Sequence, residues 1–244
     1  MDIKNKIAII TGASSGIGLA TVKLFSSQGA KVILVSRDKE KLEVIAKEIP
    51  DSFVVVADMT KEIDIKEMVK KTREHFGRID ILINNAGQGY DALIENINID
   101  TFHKLFELDV VGPLIAMQCV IPIMKEQGGG IIINISSGTA LMKLPHMGAY
   151  SSLKRALVGL SLTAREELKK DNIIVTVVYP YATSTNFEKN TIKDFIDVPG
   201  EQHIRSNSIP AVDTAEYVAQ KILEGVNNEH AEIFAHEWMD KKQI

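Results

Sequence analysis

The sequence has one cysteine, Cys119, and one tryptophan. A single cysteine excludes an intramolecular disulfide and a thiolate metal cluster. The mostly apolar stretch around it makes Cys119 read as a small core residue. An excess of positive charge is also missing, with 28 Lys and Arg against 32 Asp and Glu. The formal net charge is −4 and the pI is near 5.9, an acidic balance that argues against nucleic acid or an anionic membrane as partner. Long hydrophobic runs are missing. The longest, Val110 to Met124, is interrupted by Gly112, Pro113, Gln118 and Pro122, and is too short to span a bilayer. The sequence reaches an apolar strand by Ile7, which leaves no room for a signal peptide before it. A cytoplasmic protein is therefore expected. The histidines, at 75, 103, 146, 203, 230 and 236, form no pair at helical ligand spacing, so no metal site is expected.

What is present is ordinary globular composition, 45% hydrophobic and 25% charged over 244 residues, enough for a sizeable core. Short β-branched runs recur at 7–11, 32–36, 54–57, 81–84, 131–136 and 173–178, with a weaker one at 232–235. They are continuously apolar rather than alternating, as strands buried on both faces must be. Segments of helical period lie between them: 19–27, 40–48, 63–76, 101–124, 151–170 and 214–226. Strand–helix alternation predicts an α/β fold with a parallel sheet and helices on both faces, in one domain spanning 1–244. The stretches 110–124 and 156–164 are apolar nearly all round. Helices of that kind are buried on every side, which predicts a homo-oligomer unless the chain roofs them itself.

The first strand runs into TGASSGIG, Thr11 to Gly18, and then a helix. This spacing is neither the G-x-G-x-x-G fingerprint nor a P-loop. The mechanics are shared, because glycines let a pyrophosphate approach the backbone at the positive end of a helix. At the end of the second strand stand Ser36 and Arg37, where an acidic residue would select NAD. A guanidinium beside a small hydroxyl suits a 2′-phosphate, so NADP(H) is expected, with NAD(H) second. Asp38 reads as the cap of the following helix.

The strand at 131–136 ends on Ser137, and Tyr150 and Lys154 follow on one face of the next helix. Tyr217 and Lys221 repeat the spacing, but in a late amphipathic helix with no strand end before it, and read as helix-face residues. An ammonium beside Tyr150 favours the phenolate, and the helix N-terminus acts in the same direction. Such a tyrosine exchanges a proton with an alcohol or carbonyl near neutral pH, and a serine hydroxyl orients the same oxygen. With a nicotinamide, this set transfers hydride without a metal.

TGASSGIG, the run NNAG at 84–87, Ser137 and Tyr150-x-x-x-Lys154 together resemble the short-chain dehydrogenase/reductase family, in its order and spacing from residue 7 to about residue 186. The resemblance implies a Rossmann-type, doubly wound parallel sheet of seven strands ordered 3-2-1-4-5-6-7. It implies Tyr150 as acid/base, Lys154 on the nicotinamide ribose and Ser137 on the substrate oxygen. Cofactor contacts follow at Gly12, Ser14, Ser15, Gly16, Ile17, Gly18, Ser36, Arg37, Asp58, Met59, Asn85, Ala86, Gly87, Pro180, Thr183 and Thr185. Ser15 stands where a second basic residue is often found, so the NADP preference is expected to be incomplete. Two departures stand out. The family's asparagine before Val110 is replaced by Asp109: either the backbone carbonyl alone is needed there and the change is tolerated, or the side chain matters and the carboxylate holds Lys154 charged and alters the pH profile. Tyr181 replaces the glycine after Pro180.

Loops after strands four, five and six carry Tyr90, Met142, His146, Met147, Tyr181 and Phe187, which predicts a mostly apolar ketone or secondary alcohol as the small-molecule substrate. The segment 188–211 reads as a lid. The glycine-rich ending of many family members is missing, so either a homodimer or a homotetramer is expected. The competing reading is a regulator that binds NADP(H) without turnover.

Overall fold

A computed structural model describes residues 2–194 and 212–240. Seven strands build one parallel sheet: β1 (Ile7–Thr11), β2 (Lys31–Ser36), β3 (Phe53–Val56), β4 (Ile81–Asn84), β5 (Gly130–Ile135), β6 (Ile173–Tyr179) and β7 (Glu232–Phe234), in the order 3-2-1-4-5-6-7. Order and direction are those the sequence led us to expect. The continuous apolar runs have a direct explanation in the pleat. Along β1, Ala8 and Ile10 face one core with α1 (Gly16–Ser27) and α2 (Lys39–Glu48), while Ile7 and Ile9 face a second with α3 (Glu62–Phe76). Neither face is left to water, so no polar alternation is needed.

A long helical rod follows the fourth strand. It consists of α4 (Ile99–Phe106), one π turn (Glu107–Val111) and α5 (Gly112–Glu126), and is closed at its start by Asn98 accepting from the Thr101 amide. At 28 residues it exceeds the apolar run read from the sequence, and by length and composition it could cross a membrane. Its α5 half instead presses Ala116, Met117, Val120 and Met124 into the second core. Cys119 is half-buried against that core, and burial pushes its thiol up. Helix α6 (Gly148–Leu168) lies behind β5 and β6, and α7 (Ala215–Asn228) returns to the first core through Val218, Ile222 and Val226.

A second, two-stranded parallel ribbon pairs Tyr90–Asp91 with Ile192–Lys193, clipping the chain beyond the sixth strand to the loop beyond the fourth. Of the expected lid, residues 188–194 carry this ribbon, and 195–211 lie outside the described residues.

Candidate active site

The nucleotide end forms where β1 meets α1. Gly12 and Gly16 take left-handed φ values of 70° and 54°, which lets the chain reverse into the helix. A Cβ on Gly18 would collide with the Gly12 carbonyl, so only glycine lets the helix sit this close to the strand. Ser15 is the N-cap residue, extended at φ −167°, and its side chain caps no helix amide. The first-turn N–H groups of α1 and the Ser15 hydroxyl thus form a cradle for an anion. Ser14 and Ile17 flank it, Ile17 packed against the first core. Thr185 lies against Gly16 and so brings the Pro180–Thr185 loop to the same place. Within that loop the Thr183 hydroxyl donates to the Tyr181 carbonyl.

The NNAG stretch is sewn to the strand end. The Asn85 and Ala86 amides both donate to Thr11 Oγ1 at 3.0 Å, and Asn85 Nδ2 donates to the Thr11 carbonyl at 2.8 Å. At the end of β2, Arg37 is exposed, and the Asp38 carboxylate accepts from the Lys41 amide at 3.1 Å and pairs with its ammonium at 2.7 Å. Asp38 is the expected cap. Asp58 lies below the usual carboxylate range: burial opposes the shift, but the Thr60 amide and hydroxyl and the charges of Arg37 and Lys61 outweigh it. Met59 is buried with its carbonyl against Gly112.

The reacting end forms where β5 meets α6. Ser137 Oγ accepts from the Thr139 amide at 3.2 Å and hydroxyl at 3.0 Å, while the Gly138 amide donates to the Pro180 carbonyl at 2.7 Å. Tyr150 sits in the first turn of α6 and Lys154 one turn on, both buried. Lys154 Nζ donates to the Ile135 carbonyl at 3.1 Å, lies 2.8 Å from Asp109 Oδ1, and stands 5.7 Å from the centre of the Tyr150 ring. Asp109 projects from the π turn and is 0% exposed. The Gln88 amide reaches its other oxygen at 3.4 Å. Gly87 closes the remaining side, since a Cβ there would stand 2.6 Å from Asp109 Oδ1 and 3.3 Å from Lys154 Nζ.

These charges act on one another. Burial raises the Tyr150 phenol, Lys154 pulls it down, Asp109 pushes it back up and the Ser137 hydroxyl pulls it down; the net direction is up. Lys154 was expected from sequence to prevail and hold the phenol below its ordinary value. It does not, because a buried phenolate loses water and the neighbouring carboxylate offsets the ammonium. Burial alone would lower Lys154, but Asp109 and Tyr150 hold it above the ordinary lysine range. Asp109 is itself raised, by burial first, with Lys154 opposing.

The expected substrate residues divide. Phe187 stands over the site, its ring 5.8 Å from that of Tyr150. Met142 and Met147 are half-buried in the loop between β5 and α6, the Met142 carbonyl held by Arg155. His146 is half-buried near Asp91, and its carbonyl accepts from the Ala92 amide. Tyr90 departs from expectation. It is 0% exposed, packs with Leu105, Val110, Ala149 and Leu153, and commits its hydroxyl to Asp194 at 2.6 Å and the Asn98 amide at 2.8 Å. It is a strut beneath the mouth, because the ribbon that starts at Tyr90 turns that side chain into the core. Tyr181 meets His236 and Trp238 with its ring, 6.0 and 5.1 Å between centroids, on the side of the tail that follows β7. Tyr217 and Lys221 stay away from the site. The Tyr217 hydroxyl donates to the Ala235 carbonyl, and Lys221 pairs with Glu224.

Sequence reasoning missed Thr139, Gln88 and a buried polar ladder. In that ladder Asn84 Nδ2 donates to Asn134 Oδ1 and Asn134 Nδ2 to Ser161 Oγ, each at 2.8 Å, tying β4 and β5 to α6 beside the lysine. The signal was available, since Asn134 interrupts an isoleucine run and Ser161 an apolar helix face. Buried amides must find partners.

Sheet order, a glycine turn that opens the first-turn amides of α1, and a serine, tyrosine and lysine gathered at the carboxyl ends of the central strands define the class, a dinucleotide-dependent oxidoreductase. The family model of the short chain dehydrogenases matches residues 6–195. The chain belongs to that family. It is 33% identical over 190 residues to an uncharacterized oxidoreductase of Staphylococcus epidermidis, covering 78% of this chain and 83% of the relative. An uncharacterized oxidoreductase of Bacillus subtilis is 34% identical over 196 residues, covering 79% and 76%. Among solved structures, a short-chain dehydrogenase from Streptomyces avermitilis superposes with a TM-score of 0.85 at 28% identity, covering 95% of this chain and 88% of that one. The 3-ketoacyl-(acyl-carrier-protein) reductase of Brucella melitensis, complexed with NADH, gives 0.85 at 27% identity, covering 95% and 97%.

Proposed function

We propose that the protein interconverts a mostly apolar ketone and its secondary alcohol with NADP(H), Tyr150 serving as the proton donor and acceptor. The observation that carries this is the convergence of Ser137, Tyr150 and Lys154 beside the cradle at Gly12–Gly18. When bound there, the dinucleotide supplies hydride chemistry. Residues of this chain do the rest. Ser137, fixed by two donors from Thr139, has its own proton left to give to the substrate oxygen. Tyr150 gives its proton to that oxygen during reduction and takes one during oxidation. Lys154 holds positive charge beside the phenol. An apolar substrate is supported by Leu93, Ile94, Leu144 and Phe187, exposed hydrophobics on the segments that follow β4, β5 and β6. A second copy of the chain is the occupant we assign to the apolar side of the rod, where Ile99 and Phe106 are exposed.

Arg37 supports NADP(H) over NAD(H), because the Asp38 carboxylate is engaged by Lys41 and so is not offered to a ribose hydroxyl. Charge-assisted hydrogen bonds of about 1.5–3 kcal/mol predict that Arg37→Ala raises KM for NADPH by about 10- to 150-fold and KM for NADH far less. Steady-state kinetics with both nucleotides check this; equal effects on the two would remove Arg37 as the selector. The function itself is tested by following NADPH oxidation against a panel of aliphatic and aromatic ketones. Turnover abolished by Tyr150→Phe supports it. Tight NADPH binding with no turnover on any ketone would favour a binding regulator instead.

A further inference from the structure

We propose that Asp109 is a positioning residue that clamps Lys154 on its own carboxylate and thereby suits the site to carbonyl reduction rather than alcohol oxidation. The inference deepens the oxidoreductase reading and rests on it for its catalytic consequence.

The geometry is specific. A carboxylate oxygen lies 2.8 Å from the ammonium, in a pair where Asp109 is 0% exposed and the Lys154 side chain nearly so. The Ile135 carbonyl takes one more direction of the ammonium, and Gly87 fills the gap beside the two charges. Residue 109 therefore meets the lysine with its own side chain. Among the described residues, the charged groups that act on Tyr150 are Lys154, from its own helix, and Asp109, from the π turn. Ser137, from the turn after β5, adds a hydroxyl, and Phe187 adds an apolar ring. With a neutral residue at 109, a phenolate at Tyr150 would face a full buried positive charge. With Asp109 in place it faces a pair with no net charge, and the phenol keeps its proton to higher pH.

Reduction needs that proton. With reduced dinucleotide as the reductant, a C–H bond of the donor would break as it is oxidised and a C–H bond would form at the carbonyl carbon; the carbonyl π pair takes the Tyr150 proton, the O–H bond of Tyr150 breaks and its phenolate is left. Oxidation runs the same step backwards and needs the phenolate at the start. Asp109 leaves the overall equilibrium untouched. It extends the pH range in which the chain is loaded for the reductive step, and shifts the range for the oxidative step upward.

The test reads Tyr150 directly. In the full chain, labelled with carbon-13 at tyrosine Cζ and free of nucleotide, five tyrosines give signals, and Tyr150→Phe identifies the one that matters. The wild-type Tyr150 signal is expected to titrate above the ordinary tyrosine value of about 10. In Asp109→Asn, which keeps the shape of the side chain, the midpoint should fall by about one unit or more. A wild-type midpoint below the ordinary value overturns the proposal, and so does a midpoint unmoved or raised in Asp109→Asn. The wild-type measurement stands by itself should the variant fail to fold. With a turned-over ketone and its alcohol, the alkaline limb of reduction and the acidic limb of oxidation should both move to lower pH in Asp109→Asn. A shifted midpoint in a protein that reduces no ketone would leave the clamp standing and sink the oxidoreductase reading. Turnover without a shifted midpoint would do the reverse.

Discussion

Tyr150→Phe should lower kcat for ketone reduction by about 10²- to 10⁴-fold, the usual worth of a positioned acid/base group. The change removes one oxygen and keeps the ring that packs near Phe187. Folding should barely register it. The phenol is buried, yet its loss also relieves a polar group in an apolar setting, and the net cost of one hydrogen bond is about 1 kcal/mol. The expected result is therefore a split: activity gone, melting temperature near wild type, NADPH binding retained. Kinetics beside differential scanning fluorimetry with and without NADPH would show it. A variant keeping more than about a tenth of wild-type kcat would transfer the proton step to another group.

Lys154→Met should damage stability as well as activity. In a site with a neutral residue at 109, removing the lysine would leave nothing charged behind. Here it strands the Asp109 carboxylate, fully buried, with Gln88's amide at 3.4 Å as the remaining donor among the described residues. Breaking one half of a buried pair costs about 3–5 kcal/mol, which for a chain of this size lowers Tm by roughly 6–20 °C. The carboxylate's escape is to take up a proton, so the loss should grow as pH rises. Removing both charges, in Asp109→Asn with Lys154→Met, should recover most of the Tm and none of the turnover. Thermal melts of the wild type, both single variants and the double variant complete the cycle. Additive losses would show that the two charges are not coupled.

The fold was legible in the sequence because its strands are buried on both faces. Ile7 through Ile10 have no polar member, and that pattern has few explanations other than a covered parallel sheet. The glycine turn and the tyrosine–lysine pair were legible because their chemistry needs fixed spacings along a short stretch. Tyr90 was misread for the opposite reason. An aromatic residue just past a strand end looks the same whether it points to the mouth or into the core, and the ribbon with Ile192–Lys193 decides it from about a hundred residues away. The direction of the Tyr150 shift was misread because the sequence shows an ammonium nearby but not the loss of water. Asn134 was passed over as one polar letter in an apolar strand, although its partners, Asn84 and Ser161, lie on two other elements.

The π turn at Glu107–Val111 also sets the phase of the rod. Each residue advances a helix by about 100°, so a single extra residue rotates everything before it relative to everything after. Two duties on one rod need that offset: Leu105 packs with Tyr90 beneath the mouth, while Ala116 and Val120 press on the sheet. Asp109 sits at the point where the two phases meet. Losing one residue from the turn would wind the rod into a uniform α-helix and dial the carboxylate away from the ammonium. The side chain that distinguishes this site is thus held in aim by a backbone miscount, and a one-codon deletion there would reach the chemistry without altering any residue that performs it.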